Sequence, residues 1–183
     1  MIPDGTQFRF GEHVFTFGKD VMELRDSSAL RDDPTALRAR LADDGYLFIR
    51  GFHPREDAER AANFTLAAIA DRGGLAPGTP KAQGRVGPDN RNFPFFRVLD
   101  VSHDRHILDV VDSHTTFDFY ARMFGKPALT FDKRWLRCMA TGGHNHFHYD
   151  NVYVGRGTPN RLTMWSALTD TDLDEGPLVI CLG

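Results

Sequence analysis

The residues whose types and spacing could do chemistry lie in Gly142-Gly143-His144-Asn145-His146-Phe147-His148-Tyr149-Asp150. On a strand, side chains alternate, so His148 and Asp150 would share a face and their tips could grip one metal ion from adjacent directions. A His-x-Asp pair on a strand is one way to supply two ligands of a two-histidine, one-carboxylate iron site with open coordination positions. His146 and His144 would share that face too. Successive residues on one face stand about 6.6 Å apart along a strand, so His146 would sit beside an ion rather than cap it, and the two glycines place His144 in a loop. Both therefore read as groups around the site or contacts to substrate.

The rest of the chain must position this stretch. Its 183 residues suffice for one domain with a core, and 41% hydrophobic with 26% charged residues is ordinary for a soluble protein. A net charge of −3 gives no polyanion-binding surface, so no nucleic-acid partner is expected. The apolar runs are too short to span a bilayer, no secretion signal opens the chain, and no membrane partner is expected. Cys138 and Cys181 lack motif spacing and read as buried thiols in a reducing, cytoplasmic setting.

Alternation over residues 6–17, broken at Gly11-Glu12, predicts a hairpin. Asp33-Pro34 opens a helix that Gly45 ends, and Leu37 and Leu41 mark its apolar stripe. Residues 46–52 read as a buried strand. Pro54 starts a second helix that runs through Ala61, Leu66 and Ile69 to Gly73-Gly74. Residues 73–92 lose periodicity and form a long loop, ending in Phe93-Pro94-Phe95-Phe96. That loop is the candidate lid. Residues 104–124 predict two short helices, one with Ile107, Val110 and Val111 inward, the other with Phe117, Tyr120, Ala121 and Phe124 inward. Thereafter the period switches to two, predicting strands over 129–140, 147–154, 161–168 and 177–182. On these strands Trp135 and Arg137 share a face, as do Thr163, Trp165 and Ala167.

The expected fold is mixed α+β, mainly β in its second half: a double-stranded β-helix, or jelly roll, with N-terminal helices. It would form one domain, with the hairpin, helices and loop in residues 1–126 and the first part of the jelly-roll core in 127–183. Half a jelly roll would leave strand edges and an apolar sheet face bare. The chain is therefore expected to be the N-terminal portion of a longer protein, its core incomplete.

Several stretches together resemble the phytanoyl-CoA dioxygenase family of iron(II)- and 2-oxoglutarate-dependent oxygenases. They are Asp44-Gly45-Tyr46-Leu47-Phe48-Ile49-Arg50-Gly51-Phe52, His148-Tyr149-Asp150 with Gly155-Arg156-Gly157-Thr158, Leu162-Thr163-Met164-Trp165-Ser166-Ala167-Leu168, and Asp174-Glu175-Gly176-Pro177-Leu178-Val179-Ile180. The resemblance implies Fe(II) and 2-oxoglutarate as cofactors, with His148 and Asp150 as catalytic metal ligands. It implies O2 and a small organic molecule as substrates, and a carboxylate at position 150 favours hydroxylation over halogenation. Trp165 would line the 2-oxoglutarate pocket. Arg137 would either face that pocket or stand as a surface arginine. The family's second histidine and its 2-oxoglutarate-binding arginine follow the Gly-Pro-Leu segment in relatives and are not in this chain. Two other classes fit the same residues: a cupin-like metalloenzyme that does not use 2-oxoglutarate, and a truncated or inactive jelly-roll binding module.

Overall fold

The computed structural model describes residues 2–87, 99–137, 145–172 and 175–182. These residues group into two compact units. The first comprises Met1–Arg50, His144–His148 and Ile180–Gly183; the second comprises Gly51–Gly143 and Tyr149–Val179.

In the first unit the expected hairpin forms. Strands β1 (Gln7–Phe10) and β2 (His13–Thr16) pair antiparallel with Phe8 opposite Phe15, and the two rings lie 6.3 Å apart. Gly11 takes φ +60° in the connection, which an L side chain resists. Helix α1 (Pro34–Asp44) starts as its sequence predicts: the Asp33 carboxylate accepts hydrogen bonds from the Thr35 and Ala36 amides, and Gly45 ends it in the left-handed region. Leu37 is its buried anchor. The strand expected over 46–52 is reduced to one bridge, Phe48 to Asp26. One backbone bond and two side-chain hydroxyls take over its role. Buried Ser27 donates its amide to the Phe48 carbonyl at 2.7 Å, the Ser28 hydroxyl accepts from the Arg50 amide at 2.8 Å, and the Tyr46 hydroxyl accepts from the Arg25 amide at 2.9 Å.

The second unit is built on helix α2 (Arg55–Asp71), with α3 (Leu99–Ser102), α4 (Arg105–Val111) and α5 (His114–Phe124). Ala61, Thr65 and Ala68 recur at helical spacing and are buried along α2 with Ile69. Ala61 packs with Ile107 and Val110 of α4, while Ala68 and Ile69 pack with Val101 of α3; Phe64 touches both clusters. Glu56 and Asp57 suit the positive end of α2. Asp104 caps α4 and Ser113 caps α5. The buried face of α5 differs from the expected one: it is Thr116, Phe119 and Met123. Tertiary contact chose among adjacent apolar stripes, since the Phe119 ring meets the Phe52 ring edge-on at 5.1 Å. Tyr120 and Phe124, expected inside, stack on each other at the flank.

Burial pushes the Tyr120 phenol up from 10.0 to about 12. The unfolded chain ionises at the lower value, so this burial contributes stability that is intact below pH 10 and lost as pH rises towards 12. Tyr120→Phe should therefore flatten the alkaline limb of a pH-denaturation curve and leave the neutral range unchanged.

The long loop is partly folded. Leu75 bridges Val86 antiparallel, a 3-10 turn spans Lys81–Gln83, and Leu75 packs on the Ala68 cluster. Residues 88–98, including Phe93, Pro94, Phe95 and Phe96, lie outside the described residues.

Beyond α5 the described residues of 129–137, 161–168 and 177–182 form no β-ladder, although residues 134–137 and 162–168 keep a two-residue burial period. Arg134 and Leu136 turn inward, whereas Trp135 and Arg137 are exposed. Leu162, Met164, Ser166 and Leu168 turn inward, whereas Thr163, Trp165 and Ala167 are exposed. The stretch expected as a strand over 147–154 instead ends in a helical turn, α6 (Asn151–Val154), because the Tyr153 and Val154 amides both donate to the Asp150 carbonyl. Cys181, expected buried, is exposed, and Cys138 lies outside the described residues. No described helix is long and apolar enough to cross a membrane.

Candidate metal and cofactor site

His148 belongs to the first unit. Its neighbour Phe147 stacks on Phe10, at the end of β1, with ring centroids 4.7 Å apart, which ties the segment before the histidine to the hairpin. The imidazole is exposed, and its Nδ1 lies 2.7 Å from the His146 carbonyl oxygen. A carbonyl only accepts, so Nδ1 carries the hydrogen and, in the neutral ring, Nε2 carries the lone pair. Metal-binding histidines are commonly oriented in this way, by donation of the other ring N–H to a backbone carbonyl. His146 thus meets the His148 ring through its backbone carbonyl. His144 lies outside the described residues.

Asp150 belongs to the second unit. Its backbone is right-handed helical (φ −61°, ψ −22°) at the entrance to α6, and its side chain makes no capping bond to that helix. The turn after it is braced from both sides. The Arg161 guanidinium donates to Asn151 Oδ1 at 2.5 Å and to the Arg156 carbonyl at 3.1 Å. Gly155 fits here because it has no side chain: a Cβ would stand 2.3 Å from the Asn151 carbonyl oxygen. Gly155→Ala should therefore unwind α6 and displace Asp150, an effect visible as faster amide exchange over 151–155 and weaker metal binding. By residue type, His148 offers an imidazole and Asp150 a carboxylate, donors that iron accepts. Among the described residues no three His, Cys, Asp or Glu side chains gather around one point.

Trp165 and Arg137 sit within the second unit on segments that the same helical layer holds. Leu136 and Leu168 both pack on the Ala61–Ile107–Val110 cluster. Arg134 adds a two-pronged ion pair to Asp112, at the end of α4, with Nε–Oδ1 2.9 Å and Nη2–Oδ2 2.5 Å. His103 contributes a 2.9 Å contact to Asp132. The later segment is tied by Ser166 to His53 and by Asp170 to Arg55, each at 2.8 Å. With their even-numbered residues anchored on the helices, both segments turn Trp135, Arg137, Thr163, Trp165 and Ala167 outward. Trp165 is 53% and Trp135 38% exposed, high for indoles, so this face is open. Sequence reasoning placed both cofactor candidates on one face of their respective segments. It missed His53, whose partner is 113 residues away and has no sequence signature.

The chain is similar to a 1-deoxypentalenic acid 11-beta-hydroxylase from Streptomyces arenae, 26% identical over 171 residues. That alignment covers 88% of this chain and 58% of the hydroxylase, so the chain spans little more than half the length of this relative. No family profile matches the chain. No solved structure matches it.

Proposed function

We propose that the protein of which this chain forms at least a part is an Fe(II)- and 2-oxoglutarate-dependent oxygenase that hydroxylates a small organic substrate on a jelly-roll scaffold. The observation that carries this reading is the contact of His148 Nδ1–H with the His146 carbonyl, the kind of backbone bond that orients metal-binding histidines. The likeness to an enzyme named as a hydroxylase supports the same reaction class.

When bound, iron and 2-oxoglutarate would supply the oxidising power for C–H hydroxylation with O2. The chain's own residues would bind and orient. His148 would offer a neutral nitrogen and Asp150 an anionic oxygen. The carboxylate would offset part of the metal's charge and occupy the position that a halide would otherwise take. Trp165 would give the co-substrate an apolar wall, and Arg137, on the same kind of outward face, would offer a cation to a carboxylate. The relative is named for an organic acid, 1-deoxypentalenic acid; small organic acids are therefore the first substrates to try.

The test is succinate formation by the natural full-length polypeptide with Fe(II), 2-oxoglutarate, O2 and a panel of organic acids, followed by mass spectrometry for a gain of one oxygen. Oxygenation without 2-oxoglutarate would favour the cupin-like alternative. Absence of both succinate and oxygenated product across the panel, together with no iron binding, would favour a binding module.

A further inference from the structure

His53 lies in the link before α2, outside every stretch that carries the metal or cofactor candidates. Its ring meets buried Phe52 edge-on at 4.9 Å, and Phe52 in turn meets Phe119 of α5. The aromatic contact holds the imidazole. From that fixed position Nε2 reaches Ser166 Oγ at 2.8 Å in a partly buried hydrogen bond. Ser166 is the immediate neighbour of Trp165. In an extended segment, holding one residue inward turns the next one outward. Hence a continuous line runs from the helical core through Phe119, Phe52, His53 and Ser166 to the exposed indole. The other anchors of this segment are of different kinds: Leu168 by apolar packing, and Asp170 by an exposed ion pair that contributes little. Among the described residues, the His53 contact is the directional bond that pins the segment beside Trp165.

We infer that His53 is a positioning residue for the co-substrate face, acting through Ser166 to set the orientation of Trp165. The inference rests on the oxygenase reading for its function, although the geometric part stands on the contacts themselves. Loss of one such bond releases the segment by the equivalent of about a 5- to 10-fold change in a local opening or binding equilibrium. The bond is made by Nε2, which makes the two amide replacements unequal: glutamine places a hydrogen-bonding group near Nε2, whereas asparagine places it near Nδ1.

The experiment uses the whole chain with Trp135→Phe as background, so that Trp165 is the remaining tryptophan. His53→Asn, His53→Gln and Ser166→Ala are compared by amide hydrogen exchange over 162–168, by the Trp165 emission maximum and by quenching with 2-oxoglutarate and Fe(II). His53→Asn and Ser166→Ala should speed exchange over 162–168 about 5-fold, shift the emission and weaken the quench about 5- to 10-fold. His53→Gln should restore all three. Far-UV circular dichroism confirms that each variant is folded. Unchanged exchange and emission in folded His53→Asn overturn the inference. So does a folded His53→Gln that behaves like His53→Asn, because ring packing would then be the operative contact. If the unsubstituted chain, which lacks the family's 2-oxoglutarate-binding arginine, shows no quench, exchange and emission decide the tether, and succinate formation by the natural full-length polypeptide decides the oxygenase reading.

Discussion

Asp150→Ala is expected to remove iron binding and to lower turnover in the full-length protein by more than about 100-fold, beyond what the loss of an outer supporting contact costs. The fold should survive. The Asp150 side chain makes no capping bond to α6, and the turn is braced instead by Arg161 on Asn151 and on the Arg156 carbonyl. Function and stability should therefore separate: far-UV circular dichroism and melting temperature near the parent values, with iron titration and succinate formation lost. His148→Ala should match it in activity. Its Nδ1 bond goes to a neighbouring carbonyl in an exposed segment, so little stability depends on it. Retention of 2-oxoglutarate-dependent succinate formation by either variant would remove the pair from the metal site.

The second large effect is on stability. Arg134 is 13% and Asp112 27% exposed, and Arg134 also donates to the Phe131 and Lys133 carbonyls. Arg134→Ala would strand a largely buried carboxylate and release two backbone acceptors together. Breaking a fully buried pair costs about 3–5 kcal/mol; discounted for partial exposure, about 2–3 kcal/mol is expected here. For a chain of this size that is a drop in melting temperature of roughly 4–12 °C. Arg134→Lys keeps the charge but not the fork and should recover only part of the loss. A double-mutant cycle with Asp112→Asn measures the coupling; additivity of the two substitutions would show that the pair is not a unit.

The parts of the fold that were legible in sequence are those whose causes are local. Asp33-Pro34 and Gly45 bound α1, and Gly11 turns the hairpin. Each feature needs only a few adjacent residues. Features decided by distant residues were read less well. The burial alternation of 134–137 and 162–168 was visible, because it depends on side-chain type and the two-residue period, but strand pairing requires partners from elsewhere. Val152-Tyr153-Val154 suggests a strand by composition, yet the Tyr149 carbonyl takes the Val152 amide and the Asp150 carbonyl takes those of Tyr153 and Val154, which closes a helical turn. On α5 either of two adjacent stripes could have been buried, and Phe52, more than sixty residues earlier, selected the one with Phe119.

The candidate site divides in the same way. The types and spacing of His148 and Asp150 were open to inspection, as were Trp165 and Arg137 on their alternating segments. The groups that orient them were not. The His146 carbonyl belongs to the backbone and has no residue signature, and His53 and Ser166 come together only when the helical layer and the later segment meet.

The bracing of Arg161 against Asn151 and Arg156 has a consequence for how this region tolerates variation in length. The guanidinium closes a small ring of chain, and residues 157–160 form its outer, solvent-facing arc. Extra residues grafted into that arc would lengthen it at small entropic expense, growing only with the logarithm of its size. The same graft between 151 and 155 would break the ring at its root. The arc is thus the natural place to insert a tag or to look for species-specific insertions, because the carboxylate at its base would not register the change.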